Sequence, residues 1–150
     1  EEAVGFLASA RRILGEGALF ILGVDLVKDP ATLVAAYDDS RGVTAAFNLN
    51  LLVRANAGLD ADFDLDAFAH RAVWNPDQSR MEMHLQALRQ TAAHVGDRAF
   101  TFMVGETLHT ESSRKFTRDS VEAMARESGW SMAGFEVSPE PRVALALLRG

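Results

Sequence analysis

The stretch that sets the fold class is ALFILGVD, residues Ala18 to Asp25. Its apolar residues run without alternation, which is typical of a strand buried on both faces in a parallel sheet. A helical repeat of apolar residues precedes it over residues 1–14, and Gly15 and Gly17 end that helix. The opening of the chain therefore predicts one helix–strand step of an α/β sheet.

The composition of the chain limits the classes of protein to which it can belong. The chain has 150 residues, 48% of them hydrophobic and 24% charged, which suits one globular domain with a real core. It has no cysteine, so disulfides and thiolate metal sites are excluded. A net charge of -6 argues against nucleic acid or an anionic membrane as the main partner. No apolar run is long enough for a membrane span, and no secretion signal is present, so we expect a cytoplasmic protein.

Two helices are predicted after the first strand. Asp29 caps the first and Pro30 opens it, and that helix stops around Asp38 and Asp39. The second begins near Val43 and ends at Gly58. Its predicted apolar stripe comprises Val43, Phe47, Leu51 and Leu52, with Asn48 off the stripe.

The middle of the chain predicts a small antiparallel β unit. Alternating runs over residues 68–74 and 80–88 flank the turn at residues 75–79, and together they indicate a hairpin. A second turn at Gly96 and Asp97 precedes another alternating run. The middle of the chain is thus predicted to be an α+β insertion.

The end of the chain predicts a return to the first sheet. Thr117 caps a helix with the stripe Val121, Met124 and Ala125. Residues 130–137 and the alternating run Val143, Leu145 and Leu147 predict two strands that can pair antiparallel around a turn marked by Pro139 and Pro141. The fold class is therefore α/β, with one sheet interrupted by an inserted α+β subdomain.

The segment GETLHTESSRKF, Gly105 to Phe116, concentrates polar groups between a strand and a helix. Such a loop suits a site, and Glu111 with Ser113 is the best candidate pair; an ordinary polar loop is the alternative. From residue type and spacing alone, Tyr37 and Met83 are interpreted as packing residues. The four histidines lack paired metal-ligand spacing, and a solvated strand face is favoured for His84 and Glu82.

Four blocks, in this order, resemble the histidine-specific, S-adenosylmethionine-dependent methyltransferases, a family with a member in ergothioneine biosynthesis. The blocks are GVDLVKDPATLVAAYDDSRGVTAAFNLNLL, DFDLDAFAHRAVWN, RMEMHL and GETLHTESSRKF. The resemblance covers the C-terminal portion of the family's length and implies the second half of a Rossmann-type methyltransferase sheet. It implies that residues 1–25 belong to the sheet domain, residues 26–116 to a substrate-binding subdomain, and residues 117–150 to a helix and two strands returning to the sheet.

The resemblance also implies a histidine pocket. Tyr37 is expected near the carboxylate and amino end of the substrate, and Met83 beside the imidazole. Glu111 and Ser113 are expected to hydrogen-bond the two imidazole nitrogens, because the ring offers one donor and one acceptor. Pocket walls are expected from Thr44 and Phe47. No catalytic base, cofactor-binding residue or metal ligand is expected in this chain.

The implied activity is trimethylation of the α-amino group of L-histidine by the full-length protein. The chain begins at Glu1 within a helical pattern, and we interpret it as a piece of a longer protein. The cofactor is expected to be held mainly by a part outside these residues, so the isolated fragment should be inactive and could self-associate through exposed apolar edges. A same-family methyltransferase for another amine or amino acid, and a non-catalytic small-ligand binding module, are the alternatives.

Overall fold

The computed structural model describes residues 2–139 and 142–150. It contains four α-helices and eight strands, and a short 3-10 helix at Leu65–Ala67. In chain order these are α1 (Glu2–Leu14), β1 (Leu19–Asp25), α2 (Pro30–Tyr37), α3 (Val43–Gly58), β2 (Phe68–Asn75), β3 (Arg80–Ala87), β4 (Thr91–Val95), β5 (Arg98–Phe102), β6 (Thr107–Arg114), α4 (Arg118–Glu127), β7 (Ser131–Val137) and β8 (Val143–Arg149). The α/β class is confirmed. No helix in the described ranges is both long and apolar enough to cross a bilayer.

The chain divides into two compact units. One contains the chain up to Lys28 together with Arg114–Gly150, and the other is Asp29–Ser113. In the first unit the strand order is β1-β8-β7, and both outer strands run antiparallel to β8. The predicted antiparallel pairing of the last two strands is confirmed. The turn predicted at Pro139 and Pro141 lies in part outside the described residues, as does Glu1 at the predicted helix start.

Helices α1 and α4 cover one face of this sheet. The core of the unit consists of Leu7, Val24, Leu26, Val121, Met124, Ala125, Trp130, Ala144, Ala146 and Leu148. The Thr117 hydroxyl caps α4 by accepting from the backbone N–H of Ser120, as predicted. The buried indole Nε1–H of Trp130 donates to the carbonyl of Leu7 at 2.8 Å, which joins the end of α4 to α1.

The prediction that β1 is buried on both faces is wrong for this chain. Leu19 is 59% exposed and Ile21 is 68% exposed, while Val24 lies in the core. The paired strand β8 alternates in the same way, with Ala144, Ala146 and Leu148 buried. The apolar run of β1 suits a strand that is packed on both faces. In the described residues, only one face of β1 is packed against other elements.

The two chain segments that connect the units are bound to each other inside the first unit. Leu26 and Phe116 form a parallel bridge, with Val27 N–H donating to the Phe116 carbonyl and Phe116 N–H donating to the Asp25 carbonyl, both at 2.9 Å. The Asp25 carboxylate contacts Lys28 and the buried Lys115. Burial raises the pKa of Asp25, but the bonds from the two lysines outweigh it and the net pKa is lowered.

The second unit contains the sheet β2-β3-β6 and the hairpin β4-β5. The predicted hairpin of β2 and β3 is confirmed, with Phe68 opposite Ala87 and Asn75 opposite Arg80. A core formed by Leu52, Ala67, Phe68, Leu85 and Ala87 lies on one side of this sheet. Helices α2 and α3 pack against β2 and β3.

The segment Gly105–Phe116 was predicted to be a loop, and this is wrong. Most of it forms strand β6, in which Leu108 and Thr110 are half-buried and their neighbours are exposed. β6 is an edge strand of the sheet β2-β3-β6, and one of its faces is exposed to solvent, which suits polar side chains. The alternation ends at Glu111 and Ser112, which are both exposed.

The predicted stripe of α3 is also wrong in part. Val43, Phe47 and Leu51 are exposed, at 58%, 65% and 45%. Leu52 is buried as predicted, and Asn48 is only 2% exposed. The helix turns an amide toward the sheet because that amide has acceptors there.

Candidate functional site

Two of the predicted site residues meet in the second unit. The Tyr37 hydroxyl, at the end of α2, lies 2.7 Å from the Ser113 hydroxyl, near the end of β6. Either oxygen can be the donor. Residues from the two ends of the Asp29–Ser113 segment are thus joined by one hydrogen bond between side chains that can also bind a ligand.

A buried network fixes the end of α2. The His70 ring nitrogen Nε2 lies 2.8 Å from the carbonyl oxygen of Tyr37, so Nε2 carries the hydrogen. The opposite nitrogen Nδ1 then accepts from the Asn48 amide at 2.9 Å, and the same amide donates to the carbonyl of His84 at 3.0 Å. Asn48 and His70 therefore hold the backbone of Tyr37 against β2 and β3.

This network was missed by the sequence reasoning. Asn48 was placed off the apolar stripe of its helix, and His70 was considered only as a metal ligand. The one available signal was a polar residue in an otherwise apolar helix pattern. Its partners come from three different elements, so sequence spacing could not have identified them.

Met83 lies in the buried face of β3 and is 3% exposed. The Thr110 hydroxyl of β6 donates to the Met83 carbonyl at 2.8 Å. This bond ties the backbone beside Met83 to the strand that carries Glu111 and Ser113. Thr110, like Asn48 and His70, was not selected as a site residue from the sequence.

Glu111 is exposed on β6, and its backbone carbonyl accepts a hydrogen bond from His109 Nε2 at 3.1 Å. Within the described residues the Glu111 carboxylate makes no hydrogen bond of its own. The structure thus places a carboxylate open to a ligand two residues before Ser113. Its contact with a substrate stays a prediction.

Thr44 and Phe47 lie in the first two turns of α3. The Asp39 carboxylate accepts from Thr44 N–H at 2.8 Å and from Val43 N–H at 3.1 Å. These bonds, that of Thr44 first, lower the pKa of Asp39 to about 2. Asp39 therefore caps α3 in place of Gly42, whose left-handed backbone (φ 69°) suits glycine and offers no side chain.

The structure thus shows an α/β chain in which the hydroxyls of Tyr37 and Ser113 meet. A family model described as histidine-specific, S-adenosylmethionine-dependent methyltransferase matches residues 1–150, so the chain belongs to this family.

Curated relatives carry related names. A histidine N-alpha-methyltransferase of Mycolicibacterium smegmatis is 45% identical over 146 residues, which is 95% of this chain and 45% of that protein. The histidine N-alpha-methyltransferase of Mycobacterium tuberculosis is 45% identical over 126 residues, 83% of this chain and 39% of that protein. An ergothioneine biosynthesis protein of Neurospora crassa is 28% identical and matches 90% of this chain and 15% of its own length. The chain spans less than half the length of these relatives.

One solved structure that the comparison matches to this chain is an S-adenosylmethionine-dependent methyltransferase from Clostridium acetobutylicum. It is 11% identical, with a TM-score of 0.42, over 97% of this chain and 50% of that one. This weak likeness adds nothing to the family assignment.

Proposed function

We propose that this chain carries most of the amino-acid pocket of an S-adenosylmethionine-dependent methyltransferase that trimethylates the α-amino group of L-histidine, in an ergothioneine-type pathway. Family membership and the names of the relatives support the proposal. In it, residues 26–116 form the substrate-binding subdomain, between the sheet portions at residues 1–25 and 117–150.

The observation that carries the proposal is the hydrogen bond between Tyr37 and Ser113. An imidazole ring offers one N–H donor and one acceptor nitrogen. The Glu111 carboxylate accepts from the N–H, and the Ser113 hydroxyl turns from Tyr37 to donate to the other nitrogen. A ligand without such a ring leaves these groups unpaired, which rejects it by up to about 10⁴–10⁵ in favourable sites.

The remaining pocket residues complete the recognition of the amino acid. Met83 supplies an adaptable apolar wall beside the ring. The Tyr37 hydroxyl is assigned to the carboxylate and amino end of the substrate, with Thr44 and Phe47 as walls. The α-amino group reacts as a neutral nucleophile in an in-line displacement, so these residues act by alignment and no strong general base is required.

The cofactor supplies the methyl group when it is bound. The residues of this chain do not fit a complete site for it, because none of the strands in the described ranges is followed by a glycine-rich G-x-G turn. We infer that a part of the protein N-terminal to these residues holds S-adenosylmethionine. The small-molecule substrate, a cytoplasmic location and the lack of a nucleic-acid or membrane partner belong to the same proposal.

Calorimetric titration of L-histidine into the full-length parent protein, with the demethylated cofactor product present, tests the proposal. We expect binding to wild type and at least a hundredfold loss of affinity in Glu111→Ala, because a charge-assisted hydrogen bond to the ring is lost, worth about 1.5–3 kcal/mol, and its neighbours are left unpaired. Glu122→Ala, an exposed glutamate of α4, is the matched control and should bind as wild type.

Three results would contradict the proposal. Equal affinity of Glu111→Ala and wild type for L-histidine would show that Glu111 of β6 is not part of the pocket. Binding of an amino acid without an imidazole in preference to histidine would keep the family and move the substrate. The absence of any amino-acid binding would favour the non-catalytic module.

A further inference from the structure

A second polar cluster lies on the side of β3 opposite to Met83. Glu82 and His84 alternate with the buried Met81, Met83 and Leu85, so they point to the other face of the sheet. His109 of β6 joins them there, and one ligand atom from each of the three residues lies within 4.8 Å of the other two. The sequence did not predict this grouping, because His109 comes from another strand.

The Glu82 carboxylate is held in place through one of its oxygens. Oε1 accepts from Arg80 Nε at 2.8 Å and from Asn75 Nδ2 at 2.9 Å. Oε2 faces His84 Nε2 at 3.1 Å. The bonds from Arg80 and then Asn75 lower the pKa of Glu82 to about 2, so the carboxylate is ionised at neutral pH.

The two imidazoles are stacked, with ring centroids 4.8 Å apart and planes 22° from parallel. His84 Nδ1 is buried and has no hydrogen-bond partner among the residues that the structure describes. His109 Nε2 shares contacts with the Ser112 hydroxyl and the Glu111 carbonyl. The His84 nitrogen that faces Glu82 is Nε2, and the contacts of His109 Nε2 are exposed and can be replaced by a ligand.

We propose that Glu82, His84 and His109 bind a divalent transition-metal ion of the Zn²⁺ type. Two imidazole nitrogens and one carboxylate oxygen are a donor set that suits Zn²⁺ and its first-row neighbours, and not Mg²⁺ or Ca²⁺, which prefer oxygen ligands. Arg80 and Asn75 orient the carboxylate from behind, as outer-shell partners do in metal sites. Zinc–ligand bonds of about 2 Å require the three donors to approach one another, which the exposed His109 allows by side-chain rotation.

The Arg80 guanidinium limits the affinity because it adds a positive charge beside the ion. We therefore expect the ion to bind reversibly and more weakly than in a site without this positive charge. The proposal does not depend on the methyltransferase function, since none of the three ligands was assigned to the substrate.

Titration of the full chain with CoCl₂, followed by the visible absorption of Co²⁺ and by competition with ZnCl₂, tests the site. We expect one equivalent of Co²⁺ to give a d–d band, which one equivalent of Zn²⁺ abolishes. His84→Ala and Glu82→Gln should each raise the dissociation constant for Co²⁺ at least tenfold. If His84→Ala does not fold, His109→Ala gives the same test. Its side chain is exposed, so we expect the substitution to leave the sheet intact.

His94→Ala is the matched control. His94 pairs with Asp62 at 2.9 Å in the same unit, and no third ligand was found beside them among the described residues. Its variant should bind Co²⁺ as wild type does. A wild-type chain that gives no d–d band, or a loss in His94→Ala equal to that in His109→Ala, would overturn the proposal.

Discussion

The Asn48 amide makes two donations at a position that is closed to water, and both acceptors belong to the sheet. A buried polar group stabilises a fold only while its partners remain, so this amide specifies how α3 lies on β2 and β3. Its chain of contacts continues through His70 to the Tyr37 carbonyl. The backbone position of Tyr37 therefore depends on Asn48, which acts on it through His70.

We predict that Asn48→Leu lowers the free energy of unfolding by about 1–3 kcal/mol, because His70 Nδ1 loses its donor in a buried setting. Urea denaturation measures the change. Asn50→Leu, on the exposed side of the same helix, should change the free energy by less than about 0.5 kcal/mol. Equal effects of the two substitutions would show that the network contributes nothing.

Prediction from sequence selected two residues that meet in the structure, while their role toward a substrate stays a prediction. Tyr37 and Ser113 were both selected, and the structure places their hydroxyls in contact. It failed for Asn48, His70 and Thr110, whose partners lie on other elements and have no fixed offset along the chain. Phe47 was assigned to a buried stripe because helical spacing identifies a face without saying which neighbour covers it.

At the level of elements, helix starts were predicted well because their caps are local. Asp29 caps α2 and Thr117 caps α4, as expected. Strand β6 was taken for a loop, since its polar residues carry no apolar alternation to detect. An edge position in a sheet supplies backbone hydrogen bonds whatever the side chains are, and only the partner strand reveals it.

The start of α3 depends on the Asp39 carboxylate, which suggests a test by pH. The pKa of Asp39 is about 2 in the fold and its ordinary value is 3.8, so its stabilisation is complete above the ordinary value and is lost as the pH falls through the folded one. We predict that Asp39→Ala lowers the melting temperature at pH 7 and that the difference from wild type shrinks between pH 4 and pH 2.

Thermal melts from pH 7 down to the acid limit of folding measure this difference. Asp38→Ala, at the neighbouring exposed position, is the control and should show no such pH-dependent change relative to wild type. A wild-type advantage over Asp39→Ala that stays constant through the acid range would exclude the ionised carboxylate as the cap.

On the scale of the whole chain, one face of the β1-β8-β7 sheet is apolar and exposed. It carries Leu19, Ile21, Val143 and Leu145, each between 40% and 68% exposed. The continuous apolar run of β1 is typical of a strand that other elements cover on both faces, but the described residues cover only one face of β1. The missing cover could not be inferred from these residues, because a strand pattern records what a strand requires and not what supplies it.

We predict that the isolated chain self-associates through this face. Ile21→Lys should weaken the association at least tenfold in sedimentation equilibrium, since full burial of an isoleucine side chain contributes roughly 1.5–3 kcal/mol. Ile13→Lys changes an isoleucine that is 79% exposed on α1, away from the sheet, and should leave association unchanged. A wild-type chain that remains monomeric at high concentration would contradict the prediction.

The bridge between Leu26 and Phe116 has an evolutionary consequence. Because the chain leaves the first unit and re-enters it at neighbouring points, residues 29–113 form one continuous cassette with adjacent ends. Recombination between related genes could replace that cassette without changing the strand order of the sheet around it. Selection on the inserted unit and selection on the sheet can then proceed on separate stretches of DNA, provided that Asp25, Lys28 and Lys115 are inherited with the sheet.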